Sequence, residues 1–327
     1  MLTKRQNLME TIKGGNPDRF VNQYEFMDLI MEIPMVNDAF CQPGKEHTNG
    51  WGVTYRWPEG QIGQFPVHDE EHKVLKDITE WRKYVKAPAV PTSSEAWAAA
   101  EAHAKSVDRN ERFVTGVYFG GLFEMCHNLM SMEDALMALY EEPEAMHELI
   151  DYLTEYELEY AKAVIKHVHP DALFHHDDWG SQKSSFISPA MFEEFYVPAY
   201  KKVYGYYKAN GVELIVHHCD SYAANLVPYM IEMGVDIWQG VMTTNNTPEL
   251  IKKYGKEISF MGDIDSGVVD FPEWTPEIVT KEVERACRNC GKLYFIPCLS
   301  QGLNLSSFPG VYEAASKAID EMNKKMF

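Results

Sequence analysis

The segment Glu213-Leu214-Ile215-Val216-His217-His218-Cys219-Asp220 runs a stretch of strand character into two imidazoles, a thiol and a carboxylate. Alternate side chains of an extended chain share a face, so His217 and Cys219 point one way and His218 the other. A neutral imidazole beside a thiolate supplies half of a zinc site. A second apolar run, Leu293-Tyr294-Phe295-Ile296-Pro297, ends in Cys298. If the two strand ends meet, His217, Cys219 and Cys298 hold Zn2+ by three ligands and leave one position open, as catalytic zinc requires. Asp178 and Asp220 are the candidate catalytic carboxylates, and either can serve as a fourth, weaker ligand. The bland alternative is that a strand-end Cys is a small buried hydrophobe and a lone His a satisfied polar residue.

Two further groups bear on this chemistry. In His175-His176-Asp177-Asp178 strand alternation turns one residue of each doublet away, so at most two act together, as a second metal site or an acid–base pair. Tyr118, Trp179, Trp238, Gln239 and Asp263 also stand at strand ends and are the candidate substrate contacts. Their aromatic rings suit a flat organic substrate, although most aromatics simply fill cores. Cys287 and Cys290 form a CxxC without a second pair, which reads as two thiols on a buried helix face.

The elements that must position these residues alternate. Strands are expected at 113–119, 172–176, 213–217, 235–238, 258–261 and 293–297, with helices between them. Ser188-Pro189, Thr247-Pro248 and Thr275-Pro276 mark helix starts, and Gly211, Gly234, Gly255 and Gly291 mark stops. Continuously apolar strands separated by helices imply a parallel sheet covered on both faces. The pattern reaches the end of the chain without a linker. We therefore expect an α/β fold, one (β/α)8 TIM-type barrel domain over residues 1–327, with an N-terminal excursion over 21–75 that includes a strand at 51–57 and a turn at Pro58-Glu59-Gly60. In such a barrel the active site lies at the C-terminal strand ends, where the polar and sulfur-bearing residues fall.

Bulk properties narrow the partners. With 30 basic and 49 acidic residues the 327-residue chain has a net charge of −19. That opposes nucleic acid and anionic membrane surfaces, which need a basic footprint. No apolar run approaches the ~18 residues of a membrane span. Six sparse cysteines show no disulfide framework, which fits a reducing cytoplasm.

The succession Asp177-Asp178-Trp179-Gly180-Ser181-Gln182, Ser188-Pro189, His217-x-Cys219, Met233-Gly234-Val235-Asp236 and Phe260-Met261-Gly262-Asp263-Ile264-Asp265 resembles the uroporphyrinogen decarboxylase superfamily. The resemblance implies a distorted (β/α)8 barrel with its pocket at the strand C-termini. Decarboxylases of that superfamily carry an arginine-containing N-terminal segment that grips carboxylates, whereas Asn22-Gln23-Tyr24-Glu25-Phe26-Met27-Asp28 has none. The methyltransferase branch carries a zinc motif His-x-Cys with a distant Cys, matched by His217, Cys219 and Cys298. Asp220 departs from it, at a position often glycine. The resemblance thus implies zinc-dependent methyl transfer between a corrinoid (cobalamin) carried by a partner protein and a small methyl donor or acceptor, an aromatic methyl ether among them. A porphyrinogen-type decarboxylase and a non-catalytic binding barrel are the competing readings.

Overall fold

The structure, a computed structural model, describes residues 1–61 and 63–327. Helix α1 (Lys4–Ile12) opens the chain on a capping box between Thr3 and Gln6. Strand β1 (Met27–Leu29) follows, then β2 (Glu46–Thr48), β3 (Thr54–Arg56) and β4 (Phe65–Pro66), which form a small antiparallel sheet. Helices α2 (Trp81–Tyr84) and α3 (Ser94–Ser106) lead to β5 (Phe113–Tyr118), and α4 (Leu122–Leu129), α5 (Met132–Glu141) and α6 (Pro143–Val168) lead to β6 (Ala172–His176). Then come α7 (Pro189–Phe195), α8 (Val197–Ala209), β7 (Leu214–His218), α9 (Val227–Met233), β8 (Ile237–Val241), α10 (Thr247–Tyr254) and β9 (Ser259–Ile264). The chain finishes with α11 (Ser266–Val269), α12 (Pro276–Cys290), β10 (Phe295–Leu299) and α13 (Val311–Met326).

The α/β class and the TIM-like curl agree with expectation, but the count differs. Seven parallel strands in the order β1-β5-β6-β7-β8-β9-β10 make the curled sheet. β1 belongs to it by pairing with β5, although its three residues lie in what reads from sequence as an excursion. Between β10 and β1 no ladder is formed among the described residues. Gln23 bridges that seam instead, its backbone N–H donating to Pro297 O (3.3 Å) and its Oε1 accepting from Leu299 N (3.4 Å).

Strand pleating sorts side chains into two layers. Phe174, Leu214, Val216, Ile237, Met261, Ile296 and Cys298 pack together inside the curl. Leu173, Ile215, Trp238 and Phe260 face the surrounding helices. The helix ends follow their sequence signals: Ser188 and Thr275 cap α7 and α12, each with Pro in the first helical turn, and Gly234 ends α9 at φ 88°. The α10 start departs, because Asn246 takes the cap position at φ 56° and Thr247 is already helical. Cys287 and Cys290 sit buried on the core face of α12, as the helix-face reading has it.

One histidine of this core makes stability depend on pH. His127 on α4 packs its ring against Phe123 (5.2 Å between centroids), and burial, helped by nearby His68, lowers its pKa to about 4. Below about pH 6.5 the unfolded chain binds a proton that the folded chain refuses until about pH 4. Stability should therefore fall across that window by roughly 1–3 kcal/mol and level off below it. Urea midpoints measured between pH 7 and 4 should show this loss, and His127→Gln should make it shallower, buried His218 supplying a similar share. An unchanged slope in the variant refutes the assignment.

Candidate metal centre at the barrel mouth

β6 and β7 pair in register, His175 with His217 and His176 with His218. The pleat then divides the doublets. His176 and His218 take the parity of Phe174 and Val216 and enter the interior, while His175 and His217 take the parity of Leu173 and Ile215 and face the helices. Asp178, two residues past His176, joins the inner set. The ligand atoms of His176, Asp178 and His218 lie within 4.8 Å of one another, and among the described residues this is the group of His, Cys, Asp or Glu so gathered. The two rings stack at 4.4 Å, 17° from parallel.

Each inner imidazole is oriented from behind. His218 Nδ1 bonds the amide oxygen of Gln239. An amide oxygen accepts, so Nδ1 carries the proton and Nε2 keeps its lone pair. His176 Nδ1 donates to Glu124 Oε2 at 2.9 Å, which leaves Nε2 facing Asp178 Oδ2 at 3.8 Å. Backing of this kind is how metal-binding histidines are aimed and tuned. Asp178 Oδ1 in turn accepts from Asp220 N at 2.8 Å.

Three carboxylates crowd this mouth. Burial raises Glu124 to about 7 against the pull of His176, and burial with the neighbouring Asp178 charge holds Asp220 well above the carboxylate range. Burial opposes charge on His176, but Glu124 and Asp178 outweigh it and raise the imidazole to about 10. Burial and the His176 charge lower His218 to about 4, so it is neutral. A divalent cation would relieve the same concentration of negative charge that His176 now offsets. Two nitrogens and a carboxylate with a further position open suit a catalytic first-row ion, zinc included.

The outer residues make a separate, satisfied network. His175 Nε2 bonds Glu157 Oε2 (3.1 Å), and its ring stacks on Tyr118. His217 Nε2 donates to Asp177 O (3.1 Å), so its Nδ1 accepts from the Tyr204 hydroxyl (2.7 Å). Asp177 accepts from Phe123 N (3.0 Å), Glu124 N (2.8 Å), Trp179 Nε1 (2.9 Å) and the Tyr200 hydroxyl. It thereby supplies the N-terminal cap of α4. Gly121 is required there, because a Cβ would come within 2.7 Å of Asp177 Cγ.

The expected residues therefore separate. Asp178, Asp220, Gln239 and Cys298 stand at or inside the mouth. His217, Cys219 and Cys298 are not brought together: His217 stacks on Trp179 (4.1 Å) in the helix layer, while Cys298 packs inside the curl. Cys219 Sγ lies 3.4 Å from Trp179 N and 2.9 Å from Ser221 Oγ, and burial raises both thiols. The physical reason is pleat parity, since alternate residues of neighbouring strands must share a face. Tyr118, Trp179 and Trp238 are buried in the outer layer, Trp238 donating to Cys219 O at 2.8 Å. Asp263 turns to α12, where Arg285 Nη1 holds it at 2.9 Å. These four are core and ion-pair residues rather than mouth contacts. The cleft of about 970 Å³ that includes Lys252, Lys256, Lys292 and Tyr294 lies at the start of β10, away from this centre.

His176 and His218 carry the centre through the face that the sequence reading assigned to the other parity. Glu124 and Tyr24 were missed. Glu124 had no local signal, whereas Tyr24 lies in the arginine-free N-terminal segment and brings a neutral hydroxyl to within reach of Gly302.

A curled parallel sheet with its titratable residues at the strand C-termini defines an α/β-barrel enzyme fold. The model for uroporphyrinogen decarboxylase (URO-D) matches residues 48–322, and the chain belongs to that family. No curated protein matches it in sequence. Among solved structures it is similar to a methyltransferase from Methanosarcina mazei, at 15% identity and TM-score 0.69, covering 98% of this chain and 99% of that one. It also matches a B12-independent methionine synthase from Shewanella sp. W3-18-1 in complex with selenomethionine, at 13% identity and TM-score 0.48 over 74% and 69% of the two chains. No helix among the described residues is long and apolar enough to cross a membrane.

Proposed function

We propose that this chain is a metal-assisted methyltransferase, moving a methyl group from a small oxygen-bearing donor to the corrinoid of a separate protein. The observation that carries the reading is the inward group His176, Asp178 and His218, with both imidazoles oriented from behind by Glu124 and Gln239. Family membership and a full-length fold likeness to a protein described as a methyltransferase support it. A divalent ion bound there supplies Lewis acidity to the heteroatom that loses the methyl.

The chain's own residues supply the rest. When a methyl leaves an ether oxygen for reduced cobalt, that oxygen departs with the bonding pair and needs a proton. Burial and the neighbouring Asp178 charge raise Asp220 well above the carboxylate range and so favour its protonated form. We assign it the delivery of that proton from its carboxyl. Glu124 fixes the His176 ring, and Gln239 fixes the tautomer of His218.

The family name favours a second reading, decarboxylation of a porphyrinogen. That substrate carries several carboxylates and needs cationic clamps, whereas this mouth presents Glu124, Asp178 and Asp220. The test uses zinc-loaded protein with free cob(I)alamin and methoxybenzene, following methylcobalamin by absorbance. We expect turnover, and a fall of about a hundredfold in Asp220→Asn. Absence of methylcobalamin, with carbon dioxide released from uroporphyrinogen, would transfer the assignment to the second reading.

A further inference from the structure

We propose that Tyr24 and Gln239 form a hydrogen-bonding subsite beside the metal centre, which takes the uncharged acceptor oxygen of a flat aromatic substrate. The proposal names the substrate class for the methyl-transfer reading and rests on it for the identity of the reacting bond. Its evidence is separate. Tyr24 Oη is a buried side-chain atom without a hydrogen-bond partner among the described residues, and Gln239 Nε2 has none beyond the weakly accepting Cys298 sulfur. Tyr24 is 7% exposed and Gln239 fully buried.

The two groups converge. Gly302 lies between them at φ 113°, and a Cβ there would sit 3.0 Å from Tyr24 Oη, 3.7 Å from His218 Cε1 and 3.9 Å from Gln239 Nε2. Tyr24 Oη, Gln239 Nε2 and the edge of an inner imidazole thus cluster around one side of Gly302. The Gln239 NH2 is a donor, and the Tyr24 hydroxyl is free to donate as well. The Gln239 oxygen is engaged by His218 Nδ1, so the amide cannot turn to offer an acceptor without breaking that bond. Buried donors left unpaired are costly, so the complement is an oxygen that accepts from both.

Shape and charge narrow that oxygen's carrier. Tyr24 packs against Phe174 (6.1 Å), Phe174 against Phe119 (6.3 Å), and Phe119 against Phe40 (5.0 Å), which is 39% exposed. Phe119 also meets the His176 ring at 6.1 Å. These packed rings run from the surface to the metal centre and give that side of the mouth an apolar, aromatic wall, which suits a planar apolar body. The Asp178 carboxylate at the mouth disfavours an anionic one. An ether or carbonyl oxygen on an aromatic ring meets both conditions.

Binding tests the subsite without requiring turnover. Zinc-loaded protein is titrated with methoxybenzene and with ethylbenzene, which has the same shape and a methylene in place of the oxygen. Methoxybenzene should bind about tenfold more tightly. In Tyr24→Phe, with zinc in excess, the preference should shrink to about threefold or less, while ethylbenzene affinity stays put. Melting curves verify that the variant folds. Equal affinities in the native protein, as an ordered water satisfying both donors would give, overturn the proposal. So does failure of both probes to bind, tighter binding of benzoate than of methoxybenzene, or an unchanged preference in folded Tyr24→Phe. A preference without methyl transfer keeps the subsite and removes the proposed function. Methyl transfer without the preference does the reverse.

Discussion

His218→Ala is expected to reduce the bound divalent metal from one equivalent per chain to almost none. The imidazole Nε2 is the inner ligand whose lone pair is fixed by a neutral partner, Gln239, and a two-residue remnant of His176 and Asp178 would be a weak site. Glu124→Gln, which weakens the backing of His176 without touching a ligand atom, should lower affinity by about 10–100-fold. Cys298→Ala and Cys219→Ala should keep the metal, because neither sulfur belongs to the inner group. Elemental analysis of protein purified without chelator, followed by zinc titration, measures all four. Loss of metal in the two cysteine variants with retention in His218→Ala would move the centre to His217, Cys219 and Cys298 and would refute the inner assignment.

Asp177→Ala should destabilise the fold by about 4 kcal/mol, lowering the melting temperature by roughly 10 °C. The carboxylate is fully buried and receives two backbone N–H groups of α4, the Trp179 indole and the Tyr200 hydroxyl. Truncation strands those donors away from water and leaves a cavity beside Gly121. Asp177→Asn keeps the volume and one accepting oxygen, so it should lose about half as much. Because α4 carries Glu124, metal affinity should weaken as well in the Ala variant. Equilibrium denaturation reads the first effect, and a loss below about 1 kcal/mol would show that the network is not a stabilising unit.

The alternating strands and helices could be read from the sequence because both levels agree: apolar runs of strand length, Pro just inside helix starts, Gly just past their ends. Ser188-Pro189 and Thr275-Pro276 fall where their residue types place them. β1 could not be read so, since Met27–Leu29 is too short to show a period and is a strand only through β5. The doublet rule was also legible, as His175 and His176 do separate by face. What the letters do not carry is which face is inner. Leu214, Ile215 and Val216 are apolar on both sides, so parity is invisible until neighbouring strands and helices are present. Tyr24 and Glu124 reach the mouth through long-range packing, which no local spacing encodes.

The repeated letters of the two strand ends have a consequence for register. Moving β6 and β7 together by one residue would put His175, His217 and Asp177 where His176, His218 and Asp178 now stand, with the donor types unchanged. The chemistry of the mouth would therefore tolerate either frame. What distinguishes them is the outer shell: Glu157 on His175, Tyr204 on His217, and the start of α4 on Asp177 fit one frame and would face bare strands in the other. These contacts act as the latch that sets the reading frame of the centre. An insertion of one residue before each strand would spell the same ligands and lose the fold, which makes helix packing the arbiter of which histidines do chemistry.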